Sequence, residues 1–455
     1  MIELLAAAAA HDASAPAISY ASRESTYGDL LLAARRTAAN LRRAGIERFA
    51  IRDPDPHTLV ALLGGASLAG VEACIYPPTA SPEMVADLAE RFDHDVVVSP
   101  EPFAGDYSVL DPSKLVAAGE PLEDGAAAPA RQPHLVLTTG TTGAPRAVRH
   151  DWSRLLARRS DIQATQERWL LGYSLNQFGG LQVLIHTMSS AALLVVAPSF
   201  QPADGLAAMR DQAVTHASAT PTFWRFVLAE MAADGRGAPS LRQITLGGEA
   251  IPSRLLGDLA QAFPDAKITQ IYAASEFGAI SSVKDRENGL PISVLESKTG
   301  VELKVVDGEL WARTGTGMLG YYGEPDLEDG SWRATGDLVD VNEGRLHFRG
   351  RISEVINVGG VKVHPLPVEE RIDTVPGVSA LRVFGRASSV AGAIVAVEVV
   401  AAPGVDLDEL NAAIRTACED LPPAYRPRSI RFVPEISTIG SKTVRRDLSQ
   451  ENQHG

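Results

Sequence analysis

The stretch LVLTTGTTGAPRAVRH, residues 135–150, sets an apolar run directly before two glycines and four threonines. Leu135, Val136 and Leu137 read as a buried strand. Gly140 and Gly143 admit backbone conformations that other residues resist. Thr138, Thr139, Thr141 and Thr142 supply hydroxyls, and Arg146 adds a permanent positive charge behind the stiffening Pro145. Such a loop can wrap a polyphosphate with amides, hydroxyls and one cation. It is not the nucleotide loop G-x-x-x-x-G-K-[ST], because the spacing differs and the closing lysine is missing. Taken alone, it is equally a Gly/Thr surface turn.

Working outward, strands and helices alternate on both sides of this stretch. TYGDLLLAARRTAANLRRAG reads as an amphipathic helix entered at Ser25 or Thr26 and ended at Gly45. RFAIRD, EACIYPP, DVVVSP, HLVLTT, ALLVVAP, HASAT, QITLGG and KITQIYA read as strands. HTLVALLGGASLAG, PEMVADLAERF, TFWRFVLAEMAA, SRLLGDLAQAF and a segment at 152–160 read as helices. This alternation predicts layered α/β subdomains with largely parallel sheets. From Val301 the pattern becomes β-rich, with hairpins turning at VDGE and NEG, and after Arg351 mixed α/β resumes. The fold class expected is therefore α/β: a large N-terminal domain, 1–350, with a β-rich portion, and a small α+β C-terminal domain, 351–455. Residues 117–133 read as an exposed connector.

Composition narrows the function. The chain has 455 residues, 45% hydrophobic and 22% charged, with a formal net charge of −14 and a sequence pI near 5.2. That balance argues against a nucleic-acid partner. Two distant cysteines, Cys74 and Cys418, offer neither a disulfide framework nor a thiolate zinc site and read as buried small apolar residues. The apolar N-terminus has no positively charged n-region, so a signal peptide is not expected. No apolar run reaches the length of a membrane span. A cytoplasmic protein acting on small molecules is the expectation.

Four further stretches carry chemistry. YAASEFG, 272–278, puts Glu276 just past a strand end, where ligand crevices of parallel sheets open and a hard oxygen can hold Mg²⁺. It is also readable as a solvated loop acid. ATGDLVDV offers Asp337 after a Thr-Gly turn, a two-oxygen acceptor suited to ribose hydroxyls, or else a turn-forming aspartate. FRGRISEVINVGG brings Arg351 to the expected domain boundary and adds the Gly359-Gly360 pair, which equally makes a linker and a tight turn. STIGSKTVRRDL presents Lys442 in a Gly/Ser loop near the C-terminus, or a frayed basic tail.

Together, in this order, TTGTTGAPRAV, YAASEFG, TGDL, GRISEVINVGG and STIGSKTVRRDL resemble the adenylate-forming superfamily, which includes acyl- and aryl-CoA ligases, adenylation domains of nonribosomal synthesis and luciferase. The resemblance runs from the helix at Thr26 to Leu448, with an N-terminal part shorter than usual. It implies a two-step ligase with a mobile C-terminal lid: ATP and an acid give an acyl-adenylate, and a second nucleophile, often CoA, displaces AMP. Thr138, Thr139, Gly140, Thr141, Thr142, Gly143 and Arg146 would then hold phosphates. Gly248, Glu249, Ala250, Tyr272 and Ala273 would line the adenine. Ser275 would touch phosphate, Glu276 would hold Mg²⁺, and Asp337 and Arg351 would fix the ribose. Lys442 would stabilise charge growing on the α-phosphate and acid oxygens. Gly359 and Gly360 would line a pantetheine tunnel, favouring CoA or a carrier protein as acceptor.

The chain departs from the pattern at several points. Arg146 stands where the family usually has lysine, Tyr272-Ala273-Ala274-Ser275-Glu276 replaces Tyr-Gly-x-Thr-Glu, the hinge position is Ser353, and Ser441 precedes Lys442. Each keeps the essential chemical group, so the expectation is an active enzyme rather than a nucleotide-binding protein without turnover. In YSLNQFGGLQ, Asn176 and Gln177 replace an aromatic residue and a histidine of the acid pocket. With Gly179, Thr222 and Gly247 they are the candidate substrate residues. A small or aromatic carboxylic acid is the expected substrate. Adenylation of an acid or of nitrite for attack by an amine stands as the alternative.

Overall fold

A computed structural model describes residues 1–123, 125–138, 145–157, 162–297, 300–388, 392–436, 438–439, 442–443 and 445, with the backbone alone at 438–439 and 442–443. Two large sheets, two five-stranded ones and a two-stranded pair organise the described residues. The first has eight strands in the order Gly278–Val283, Lys267–Ala274, Gln243–Gly247, His216–Ala219, Arg168–Leu171, Leu193–Val195, Pro16–Tyr20 and Arg23–Thr26. Its interior pairs are parallel and its two edge pairs antiparallel. The second has seven strands, Gly320–Tyr321, Arg146–Asp151, Pro133–Thr138, Glu72–Ile75, Arg48–Ile51, Val96–Val98 and Ser108–Leu110. The α/β alternation of the sequence is thus realised as two parallel-centred sheets, each closed at an edge by antiparallel strands.

The helices between these sheets follow from local chemistry. Helix Tyr27–Ala44 starts at Thr26, whose hydroxyl accepts from the Asp29 amide while Asp29 accepts from the Thr26 amide, and ends at Gly45 with φ 65°. Such a cap stabilises the helix by about 1 kcal/mol. The helix Pro56–Ala69 packs on it so closely that a Cβ at Gly65 would lie 2.4 Å from Thr37 Cβ. The apolar N-terminus is itself a helix, Ile2–His11, whose Leu4, Leu5 and Ala8 enter the main core. Helices Phe178–Ser189 and Pro202–Asp211 had no legible sequence signal. The former is buried around most of its circumference, so no polar face marks the helical period.

A five-stranded sheet follows, Leu290–Pro291, Arg345–Arg351, Arg333–Asn342, Glu309–Arg313 and Glu302–Val306. It confirms the hairpin at Asp307-Gly308 and that at Glu343-Gly344. The Thr-Gly turn expected before Asp337 is instead a bulge. Thr335, Gly336 and Asp337 lie within strand Arg333–Asn342, where the pairing to the neighbouring strand jumps from Trp311↔Ala334 to Glu309↔Leu338. Gly336, at φ 79°, makes this possible.

The last sheet holds strands Val361–Val363, Ile356–Val358, Gly392–Ala401 and Val378–Ser388, with Ser429–Phe432 paired to Gly392–Ala401. Helices Pro365–Asp373 and Leu407–Ala417 pack on it around a separate apolar core that includes Val368, Val383, Val397 and Ile414. Cys74 and Cys418 are both buried. Of the connector, Gln132 is buried while most of the segment is exposed. The helix expected at 152–160 is described over Trp152–Leu156. No helix among the described residues is long and apolar enough to cross a membrane.

Candidate active site

Of the candidate residues, Arg146, Tyr272, Glu276, Asp337 and Arg351 come together where the two large sheets meet the five-stranded one. Strand Lys267–Ala274 ends in a tight turn, closed by Phe277 N–H donating to the Ala274 carbonyl, that leads into Gly278–Val283. Buried Phe277 anchors the turn in the five-stranded sheet's core, and Gly278 takes φ 80°. Ser275 and Glu276 therefore project from a fixed hairpin. The Glu276 carbonyl accepts from the Met318 amide at 3.0 Å, and Gly317 passes so near that a Cβ there would be 2.7 Å from that carbonyl oxygen. The Glu276 carboxylate accepts from Tyr321 Oη at 2.8 Å. Burial, then the charge of Glu276, push the Tyr321 phenol above its ordinary pKa, so it is a donor.

Tyr321 also carries Arg146. The guanidinium carbon sits 3.4 Å from the centre of the Tyr321 ring, and Arg146 Nη2 pairs with Glu324 at 2.6 Å. The phosphate-loop residues Thr139, Gly140, Thr141, Thr142 and Gly143 lie outside the described residues. Thr138 donates its hydroxyl to the Arg146 carbonyl at 3.3 Å, across the two strands that flank the loop.

A second group surrounds Asp337, which is 8% exposed. Tyr272 Oη donates to Oδ2 at 2.6 Å, and Arg351 Nε donates to Oδ1 at 3.1 Å. Asp337 and Arg351 are direct partners in the antiparallel pair Arg333–Asn342/Arg345–Arg351. Burial and then the neighbouring carboxylate push the Tyr272 hydroxyl well above its ordinary pKa, which keeps it protonated. The Tyr272 ring rests 4.9 Å from that of Phe348. Asp337 is thereby a fixed carboxylate with lone pairs left for hydroxyl donors, as a carboxylate accepts at up to about four sites.

A third group lies beside the ends of strands Gln243–Gly247 and Arg168–Leu171. Glu249 accepts from the Thr222 amide at 3.1 Å and the Thr222 hydroxyl at 2.7 Å, at the N-terminus of helix Pro221–Asp234, where negative charge is favoured. Buried Tyr173 donates to the Gly247 carbonyl at 3.2 Å, and its ring packs on Gly179, where a Cβ would sit 3.2 Å away. Gly248 follows at φ 85°. Asn176 and Gln177 are half-buried just before helix Phe178–Ser189. Tyr173 and Tyr321 went unread in the sequence: their hydroxyls matter through partners 74 and 45 positions away.

The C-terminal unit closes over this region. Asp373 pairs with Arg225 at 2.9 Å, and its carbonyl accepts from Arg254 at 2.7 Å. Lys442 lies on a two-residue strand paired with Thr438–Ile439. Three residues on, Arg445 makes a bidentate pair with Glu369, both bonds 2.9 Å, on helix Pro365–Asp373. Together Thr222, Glu249, Phe348, Glu369 and Arg445 line a cleft between the two units. Gly359 and Gly360 form the tip of hairpin Ile356–Val363 at φ 57° and 89°, with open space around both.

The sequence model of a family described as AMP-binding enzyme matches residues 5–322. The chain belongs to the AMP-binding enzyme family. This is the adenylate-forming superfamily that the ordered motifs resemble. The 2-succinylbenzoate–CoA ligase of Salmonella typhimurium is 28% identical over 262 residues, 54% of this chain and 53% of that protein, about half its length. A fatty acid–[acyl-carrier-protein] ligase, ScoC, of Streptomyces coeruleorubidus is 27% identical over 445 residues, 87% of this chain and 85% of that one. Among solved structures, the anthranilate CoA ligase AuaEII in complex with anthranoyl-AMP superposes with a TM-score of 0.83 at 20% identity, over 98% of this chain and 95% of that one. The shared fold spans both the large α/β part and the smaller C-terminal part.

Proposed function

We propose that the protein is an AMP-forming acid–thiol ligase that activates a small or aromatic carboxylic acid with ATP and transfers the acyl group to a thiol. The observation that carries this is the placing of two carboxylates with different duties within electrostatic reach of Arg351. Asp337, braced by Tyr272 and Arg351, suits ribose hydroxyls, and Glu276, held on its hairpin, faces the phosphate-loop side through Tyr321 and Arg146. In the first step an acid oxygen attacks the α-phosphorus, the bond to the β-phosphate breaks and pyrophosphate leaves. In the second, a thiolate attacks the acyl carbon and AMP departs.

Glu276 fits a role in holding Mg²⁺. Its carboxylate takes one hydrogen bond from a neutral hydroxyl, and no second bond to it is seen among the described residues. An anionic oxygen is thus left for a hard cation. Bound there, Mg²⁺ would supply charge neutralisation to the departing pyrophosphate. Arg146 adds a fixed cation at the same end. Ser275 is assigned to phosphate, Thr222, Gly247, Gly248, Glu249 and Ala250 to the walls around adenine and acid, and Asn176, Gln177 and Gly179 to the acid. Residues 351–455 act as the lid. Lys442 completes the adenylation site when Asp373 docks the lid against Arg225 and Arg254 of the large domain. CoA is the favoured thiol, in keeping with the succinylbenzoate ligase. The carrier-protein specificity of the Streptomyces relative supports a pantetheine arm as the second candidate.

The test is pyrophosphate release with ATP and Mg²⁺ across aryl, short-chain and amino acids and nitrite, with and without CoA. Turnover with an aryl or short-chain acid and acyl-CoA formation support the reading. Turnover with nitrite alone, or acyl transfer to an amine alone, replaces it.

A further inference from the structure

We propose that Tyr321 is a positioning residue that holds the metal-binding carboxylate of Glu276 and ties it to the cation at the end of the phosphate loop. The proposal rests on the reading of Glu276 given above. Tyr321 and Glu276 belong to different sheets. Glu276 sits on the edge hairpin of the eight-stranded sheet, whereas Tyr321 lies on the edge strand of the seven-stranded one, opposite Val148. The segment carrying Tyr321 grips Glu276 at both ends: Met318 N–H binds its backbone carbonyl at 3.0 Å, and Tyr321 Oη binds its carboxylate at 2.8 Å. Gly317 lets the two chains approach this closely, since a side chain there would meet the same carbonyl at 2.7 Å.

The ring is fixed from its face as well. The Arg146 guanidinium lies 3.4 Å from the ring centre and is itself held by Glu324 at 2.6 Å. A cation on the face draws electron density from the phenol and strengthens its O–H as a donor. The choice of donor matters chemically. An arginine or lysine bonded to Glu276 would cancel the charge a metal needs, whereas a tyrosine hydroxyl orients the carboxylate and leaves it anionic. Hydrogen-bonded partners of ligating carboxylates typically control about 10–100-fold in metal affinity or activity. Arg146 places a planar guanidinium over the ring, a contact that a point-charge ammonium does not reproduce.

The experiment compares wild type, Tyr321→Phe and Glu276→Gln by calorimetric titration of ATP, with Mg²⁺ and with EDTA. Phenylalanine keeps the ring under Arg146 and removes only the donor. The expected result for Tyr321→Phe is roughly tenfold or greater weakening of ATP binding in Mg²⁺, with binding in EDTA within about twofold of wild type. A parallel Mn²⁺ titration followed by electron paramagnetic resonance should show the same loss in the ATP complex. Equal binding by Tyr321→Phe and wild type in Mg²⁺, while Glu276→Gln loses its metal dependence, overturns the proposal and leaves the Glu276 reading standing. Equal weakening of Tyr321→Phe with and without metal assigns the residue a merely structural part and also overturns it. A Glu276→Gln variant that binds Mg²⁺ and ATP like wild type removes the reading of Glu276 and the proposal with it.

Discussion

Tyr272 and Arg351 hold opposite oxygens of the Asp337 carboxylate, at 2.6 and 3.1 Å, though one comes from the eight-stranded sheet and the other from the five-stranded one. The carboxylate is fixed before any ligand arrives, so little ordering remains to oppose binding.

Asp337→Ala removes the acceptor proposed for ribose hydroxyls. Hydrogen bonds to a charged group contribute about 1.5–3 kcal/mol, so AMP affinity should fall roughly 10–100-fold. Tyr272→Phe, which leaves the carboxylate in place, should cost less. Calorimetry with AMP checks both, and an unchanged Asp337→Ala affinity would place the ribose elsewhere.

Lys442→Ala removes the cation proposed to meet the developing charge at the α-phosphate. Loss of one such stabilising group typically costs ~10²–10³ in rate. Pyrophosphate release should drop by about that factor while AMP binding stays near wild type. Release at the wild-type rate would falsify the role given to Lys442.

Arg225→Ala breaks the 2.9 Å pair to Asp373 at the edge of the lid, where both side chains are mostly covered. Docking should weaken by about 1–3 kcal/mol, the scale of a charge-assisted hydrogen bond left half unmade. Hydrogen exchange over helix Pro365–Asp373 should quicken, with unchanged exchange over Tyr27–Ala44. Unchanged exchange over Pro365–Asp373 would mean that this pair does not hold the lid.

Stability should fall as the solution is acidified below neutrality. Burial lowers the His94 pKa to about 4 and the His150 pKa to about 4, from an ordinary 6.5. Between those values the unfolded chain binds protons that the folded chain refuses. The neutral-pH stability is therefore complete above pH 6.5 and declines towards pH 4, by about 1.4 kcal/mol per pH unit for each histidine. His150 lies fully buried, stacked on Phe178 with ring centres 5.6 Å apart, so His150→Phe should flatten the slope by one histidine's share. Urea titrations at pH 7, 6 and 5 measure it, and an unchanged slope would mean that His150 titrates alike folded and unfolded.

Several elements were legible in the sequence because their signals are local. Thr26 and Asp29 announce a helix start and Gly45 its end within one turn of chain. Asp307-Gly308 turns a hairpin whose alternating residues are visible on both sides. Glu276, Asp337 and Arg351 were readable as candidates through the fixed order of their motifs, whose resemblance to the adenylate-forming superfamily implies a metal and a ribose there. Helix Phe178–Ser189 was not legible, since burial on most sides erases the polar stripe that reveals a helical period.

The sequence by itself thus determined the α/β layering, the family and the candidate chemical groups, all of which depend on short-range pattern and residue type. The tertiary structure alone decided which groups brace one another. Tyr321 reaches Glu276 from the seven-stranded sheet, Tyr173 reaches Gly247 from the end of a strand two places away in the sheet, and Asp373 meets Arg225 across the two units. The physical reason is range. A hydrogen bond is formed within about 3 Å, and partners separated by many tens of residues come that close only after the sheets have packed.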